Sequence, residues 1–192
     1  MVRKISGLVA VILFLFIVRV AAAMESIPPK VGSPLPEIAL LMPNNSADLK
    51  YLGLSSGGKT FKVNQIKAKI VIMQIYSMYC PYCQAEAPNV NRLYRLIENN
   101  PTLKNKVKII GIGAGNTLFE VGTYKRKYTV AFPLIPDEDF TIHKIMGEVR
   151  TPYFIAVKIT ADGRNEVIYS RLGALENIDQ FPAQLVKLAQ IK

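Results

Sequence analysis

The chain has 192 residues, half of them hydrophobic, with 24 Lys and Arg against 14 Asp and Glu and a formal net charge of +10. That length supports one domain with a sizeable core, and the absence of internal repeats or low-complexity tracts excludes a repeat array. Two cysteines and one histidine cannot close a four-ligand zinc site, and the longest Lys/Arg run, Lys125-Arg126-Lys127, reads as a solvated helix face rather than a nucleic-acid patch.

At the N-terminus, Arg3 and Lys4 precede an uncharged, mostly apolar stretch, Ile5 to Val18, and Arg19-Val20-Ala21-Ala22-Ala23 supplies the small residues of a cleavage site. Residues 1–23 therefore read as an export signal, either removed after Ala23 or kept as a membrane anchor, since Ile5 to Met24 is about the 20 residues that a span needs. In both cases the remainder faces the outside of the cytoplasm, where two thiols can cycle through a disulfide. Losing Arg3, Lys4 and Arg19 would take the formal charge from +10 to +7. Residues 24–30, with Pro28-Pro29, form a linker, and residues 31–192 form the folded domain.

Residues 37–68 read as an irregular strand pair, with turns at Asn44-Asn45-Ser46 and Ser55-Ser56-Gly57-Gly58. Ile70 to Tyr76 is a buried strand. The apolar positions Val90, Leu93, Leu96 and Ile97 then recur at helical spacing until Asn99-Asn100-Pro101. Between strand and helix lies Tyr79-Cys80-Pro81-Tyr82-Cys83, which holds both cysteines of the chain. Cys80 at a helix N-terminus meets unpaired amide N–H groups and the positive end of the helix dipole, so its thiolate is stabilised and it becomes the attacking thiol. Cys83, one turn in, is the less accessible resolving thiol. As a mere staple the pair would close too short a loop to stabilise much.

Further on, Val107 to Gly113 reads as a core strand, Thr117 to Tyr128 as a helix, Phe132 to Ile135 as a short strand and Phe140 to Met146 as a helix. Tyr153 to Lys158 and Glu166 to Ser170 flank the turn Ala161-Asp162-Gly163-Arg164 as a hairpin, and a last amphipathic helix carries Ile178, Phe181, Leu185 and Leu188. This order argues for an α/β sandwich on a mixed sheet. Gly111 to Asn116 reads as a strand end and loop, Asp137-Glu138-Asp139 as a solvated turn, and His143 as a helix-surface or half-buried residue.

Several pieces in shared order resemble the TlpA/redoxin family of thioredoxin-fold, bacterial envelope thiol-disulfide oxidoreductases of the cytochrome c biogenesis type. They are Val31-Gly32 with Pro34 and Pro36, Phe61 to Lys69, the strand into Cys80 and Cys83, Glu86-Ala87-Pro88 after the second cysteine, and Val149-Arg150-Thr151-Pro152. The resemblance implies a central mixed sheet flanked by helices, an N-terminal strand pair and a strand-helix insertion after the active-site helix. It makes Cys80 the nucleophile, Cys83 the resolving thiol, and Glu86 a carboxylate beside the dithiol that tunes the thiols and relays protons, the competing reading being a surface acid at the helix start. Pro88 should kink the helix, because it lacks a donor.

A cis Thr151-Pro152 bond would face the cysteines and align a substrate segment, with Tyr79, Pro81 and Tyr82 around it. The resemblance implies protein thiol or disulfide partners in the envelope, a membrane electron donor, reduction as the direction, and no metal or organic cofactor.

The chain departs from the family at Tyr79, where tryptophan usually stands, and at Gln74, where thioredoxins carry a buried aspartate. Pro81-Tyr82 is the glutaredoxin dipeptide, although Tyr153-Phe154 replaces the glycine pair of glutaredoxins. Two other classes compete. A peroxiredoxin-like peroxidase would account for Ser77, three before Cys80, and a copper carrier would use Cys80 and Cys83 with Met78 or His143.

Overall fold

A computed structural model describes residues 27–191, and the expected export signal lies outside the described residues. The first two strands pair with each other, β1 (Leu40–Leu41) with β2 (Thr60–Phe61), antiparallel with Leu40 opposite Phe61. Between them runs α1 (Ser46–Leu52), where the sequence reading has only a turn. Asn45 is its N-cap, its Oδ1 accepting from the Asp48 amide at 2.8 Å, and Gly53 ends it in the left-handed region at φ 67°.

The continuous apolar runs become β3 (Ile70–Tyr76) and β4 (Val107–Ala114), both buried at every position, as expected of parallel strands covered on both faces. A five-stranded sheet is completed by β5 (Leu134–Asp137), β6 (Tyr153–Ile159) and β7 (Asn165–Leu172), in the order β5-β4-β3-β6-β7. β3, β4 and β5 are parallel, whereas β6 and β7 run antiparallel as the expected hairpin.

One face of the sheet buries Ile70, Ile72 and Tyr76 of β3 under α2 (Pro81–Glu98) and α5 (Phe181–Ala189), with Tyr124 of α3 (Leu118–Lys127) joining them. The other face buries Val71, Met73 and Ile75 against Leu52 of α1, the β1/β2 pair and α4 (Thr141–Ile145). Gly111 is required in β4 because a Cβ there would lie 2.4 Å from Leu134 Cδ2 and 3.2 Å from a carbon of the Tyr76 ring. β5 and α4 stand between α3 and β6 as the strand-helix insertion.

Three local expectations are corrected. The short strand begins at Leu134 rather than Phe132, because Phe132 is buried in the connecting loop without joining the ladder. Asp137 is no solvated turn residue. It is buried, and its two oxygens accept from the amides of Ile142 (2.9 Å) and His143 (2.8 Å), satisfying the start of α4. α5 begins after Ile178 and buries Phe181, Leu185 and Ala189, leaving Leu188 exposed. Among the described residues no helix is long and apolar enough to cross a membrane.

Candidate active site

β3 ends at Tyr76, and four residues later the chain enters α2 with Cys80 as the N-cap and Pro81 at the first helical position, where a missing N–H costs nothing. Cys80 Sγ accepts from the Cys83 amide at 3.3 Å, as a capping serine oxygen would, and its thiol donates to the Thr151 carbonyl at 3.3 Å. Both cysteines are free thiols, Cys80 half-buried and Cys83 fully buried. Burial works to raise the Cys80 pKa, but the Cys83 thiol, Thr151 and the amides of Cys83 and Tyr82 outweigh it and hold Cys80 below the ordinary thiol value. Burial, with the hydrogen bond to Cys80, pushes the Cys83 thiol up to about 12. One thiol is set to ionise while its neighbour keeps its proton.

The Thr151-Pro152 bond is cis, and this loop packs against Cys80 through the Thr151 carbonyl, while the Pro152 carbonyl accepts from the Gly173 amide at 2.8 Å. Tyr82, Ala85, Glu86, Thr151, Pro152 and Leu172 line a groove of about 420 Å³ beside the dithiol. Tyr79 and Tyr82 are largely exposed at 64% and 77%, flanking Cys80. The structure therefore brings together Tyr79, Cys80, Pro81, Tyr82, Cys83, Thr151 and Pro152.

Glu86 is 3% exposed, so it is not a surface acid. Its Oε1 accepts from the Leu175 amide at 2.9 Å and its Oε2 from Asn89 Nδ2 at 3.0 Å, tying the segment after β7 to the active-site helix. Pro88 lies within α2 on its exposed side. Gln74 is buried at 2% exposure on the α2 side of β3, and among the described residues its Nε2 finds no hydrogen-bond partner, nor does the buried Tyr76 hydroxyl. His143 is half-buried, its Nε2 2.8 Å from the Val149 carbonyl. Among the described residues no group of three His, Cys, Asp or Glu side chains is placed to hold a metal ion.

Sequence reasoning missed the residues that reach this loop from elsewhere. Asn116 Oδ1 accepts from the Met78 amide at 2.8 Å, Tyr79 donates its hydroxyl to Glu120, and Tyr124 donates to the Cys83 carbonyl at 2.8 Å. Only Thr117-x-x-Glu120 carried a local signal, a capping box that the structure forms, and it says nothing of Tyr79.

The sheet order, the dithiol on a helix N-terminus and the opposing cis-proline loop define a thioredoxin-fold protein with a C-x-x-C site. The AhpC/TSA family model matches residues 31–173, and the chain belongs to that family. It is 30% identical over 96 residues to the thiol-disulfide oxidoreductase ResA of Bacillus thuringiensis subsp. konkukian, covering 50% of this chain and 52% of the relative. To ResA of Bacillus subtilis it is 24% identical over 84 residues, covering 44% of each. The chain thus spans about half the length of the curated relatives it matches.

Among solved structures, the thioredoxin domain of a thiol-disulfide oxidoreductase from Bacteroides vulgatus superposes with a TM-score of 0.59 at 16% identity, covering 82% of this chain and 98% of that one. StoA from Bacillus subtilis superposes with a TM-score of 0.53 at 16% identity, covering 81% and 98%. These two likenesses establish the fold.

Proposed function

We propose that the chain is a thiol-disulfide oxidoreductase that exchanges disulfides with protein partners outside the cytoplasm, in the direction of reducing them. The observation that carries the reading is the asymmetry of the two thiols: Cys80 capped by the Cys83 amide and held below the ordinary thiol pKa, and Cys83 buried and held well above it. In the proposed reaction the Cys80 thiolate attacks one sulfur of a partner disulfide, forming a mixed disulfide and expelling the partner's other sulfur as a thiolate, which takes up a proton. Cys83 then loses its proton and attacks Cys80 Sγ, so the partner leaves as a dithiol and the Cys80-Cys83 disulfide forms.

Thr151, Pro152, Tyr79, Pro81 and Tyr82 form the surface that receives the partner segment, beside the groove into which Glu86 is set. Glu86 is the proposed proton relay for the resolving step. Residues 1–23 serve as signal or anchor, residues 24–30 as linker and residues 31–192 as the catalytic domain. Re-reduction would fall to a membrane electron donor, and the exchange itself requires no cofactor.

The test is to express Cys83→Ser in the native compartment and isolate mixed disulfides. Partners joined through Cys80 and released by reductant support the reading; no partner above the level of a Cys80→Ser, Cys83→Ser control sinks it. Equilibrating the wild-type pair with thiol buffers decides the direction, a potential of about −250 mV or lower marking a reductant and about −120 to −180 mV an oxidant or isomerase.

A further inference from the structure

Three side chains approach the active-site loop from one element that carries neither cysteine. Asn116 precedes the N-cap of α3, Glu120 lies in its first turn, and Tyr124 lies one turn further. Asn116 is fully buried, accepts from the Met78 amide at 2.8 Å and places its Nδ2 3.4 Å from Ser77 Oγ. Glu120 accepts from the Tyr79 hydroxyl. Tyr124, 3% exposed, donates to the Cys83 carbonyl at 2.8 Å. The contacts fall on Met78, Tyr79 and Cys83, so they bracket Cys80 on both sides. The whole row is held in turn. The Tyr124 ring packs between Tyr76 and Tyr128 with centroids 4.6 Å away on each side, and Asn91 Nδ2 ties the end of α3 to α2 through the Tyr128 carbonyl at 2.8 Å.

We infer that Asn116, Glu120 and Tyr124 form a positioning brace for the dithiol, in which Tyr124 fixes Cys83 so that its amide stays aimed at Cys80 Sγ. The inference deepens the proposed thiol exchange and rests on it. The Cys83 amide reaches Cys80 Sγ at 3.3 Å, and a hydrogen bond to an ionised group is stronger than one to a neutral group but just as dependent on direction. Tyr124 anchors the carbonyl of the same residue, and so restrains the rotation that would swing the N–H away. A buried phenol in this place supplies the anchor without a charge that would repel a thiolate. Loosening it costs the Cys80 thiolate a donor and leaves the disulfide, which has no charge to stabilise, unaffected. The reduced form alone is weakened.

The experiment uses the full chain with Tyr124→Phe, which keeps the ring stack and removes only the hydroxyl. Wild type and variant are equilibrated with glutathione buffers, and iodoacetamide alkylation of Cys80 is followed against pH. The expected result is an alkylation midpoint at higher pH, with the dithiol-disulfide constant shifted about tenfold towards disulfide, about 30 mV for this two-electron couple. An unchanged midpoint and constant, whatever the melting temperature, overturns the brace as anything more than packing. Tyr79→Phe tests the exposed contact and should move both readouts in the same direction by about twofold, as suits a solvent-screened bond. If Tyr124→Phe does not fold, Tyr79→Phe decides: the shift supports the brace and wild-type values overturn it. A wild-type protein in which Cys80 and Cys83 form no disulfide with one another in any thiol-disulfide buffer sinks the proposed function instead, whereas an alkylation shift in the variants would still uphold the brace.

Discussion

The two ends of the β3/β4 pair both bury polar side chains, and they do so for opposite ends. At the start of β4, Lys108 Nζ is bound by Glu98 at 3.1 Å and by the Lys104 carbonyl at 2.6 Å, and it lies 4.2 Å from the centre of the Tyr51 ring. Its side chain is 7% exposed, and three partners meet its charge. At the other end, beyond β3, the groups hydrogen-bonded to Cys80 and to the Cys83 backbone are an amide, a carbonyl and a phenol, the nearby Glu86 carboxylate is held by Leu175 and Asn89, and among the described residues no ion pair is formed with Cys80. The difference teaches how one sheet separates stability from reactivity. A paired charge holds an end shut, while neutral dipoles leave a thiol able to gain and lose its own charge.

The sharpest way to break that contrast is to unpair the far end. Glu98→Ala leaves Lys108 buried without its counter-charge and should cost about 3 to 5 kcal/mol in urea unfolding, the range for a broken buried pair. Lys108→Met, which removes the buried charge and keeps the aliphatic stem, should cost much less. Disulfide exchange per folded molecule should be unchanged in both. A Glu98→Ala protein with wild-type stability would show that the cluster is solvated, and slowed exchange would show that the two ends communicate.

At the dithiol end the expected pattern reverses. Glu86→Gln keeps an oxygen for the Leu175 amide and a near-identical shape, so stability should change by no more than about 1 kcal/mol. If the carboxylate relays the Cys83 proton, resolution of a mixed disulfide at neutral pH should slow by about 10²-fold, the lower range for acid-base assistance. A resolution rate within a factor of about two of wild type would reduce Glu86 to the tie between α2 and the segment after β7.

The pH response separates the two cysteines further. Cys80 is held below its ordinary value, so it ionises more readily folded than unfolded. The stability this contributes is present above the unfolded pKa and lost as pH falls through the folded one. Cys83 is raised to about 12, so its contribution is present below the unfolded value and lost as pH rises towards 12. Mass-resolved alkylation of the reduced protein should therefore modify Cys80 alone at pH 7 and reach Cys83 only on strong alkalinisation. Equal labelling of both at pH 7 would contradict the asymmetry on which the proposed function rests.

The dithiol, its strand and the hairpin were legible because each is specified within a few adjacent residues. The apolar run Ile70 to Tyr76 can only be covered on both faces, the cysteines sit at its end, and Asp162-Gly163 turns the last two strands. Asn116 and Tyr124 were not legible as site residues, since their partners Met78 and Cys83 lie 38 and 41 positions away and meet them only once α3 docks. The resemblance sets Glu86 beside the dithiol, but neither its burial nor its tie to Leu175, which spans 89 positions, is legible in the sequence. Leu188 failed for a different reason: α5 begins after Ile178, and a helix from Phe181 turns Ala189 inward in its place.

α1 was misread because its segment buries only Leu52, too little to show a helical stripe, and its start carries the Asn and Ser that also mark turns. The structure assigns those residues a capping role, and Asn45→Ala tests it with the smallest effect of the set. Removing Oδ1 leaves the Asp48 amide without its partner, which should cost about 1 kcal/mol in urea unfolding. Asp48 also pairs with Lys125 of α3 at 3.1 Å, so fraying of α1 would reach the outer side of the helix that carries Tyr124. Stability should fall while the alkylation midpoint of Cys80 stays in place, because the Tyr124 stack is fixed independently by Tyr76 and Tyr128. A midpoint that moves with this distant cap would mean that the dithiol end depends on the packing of the whole α3 edge, and the separation between the two ends would fail there.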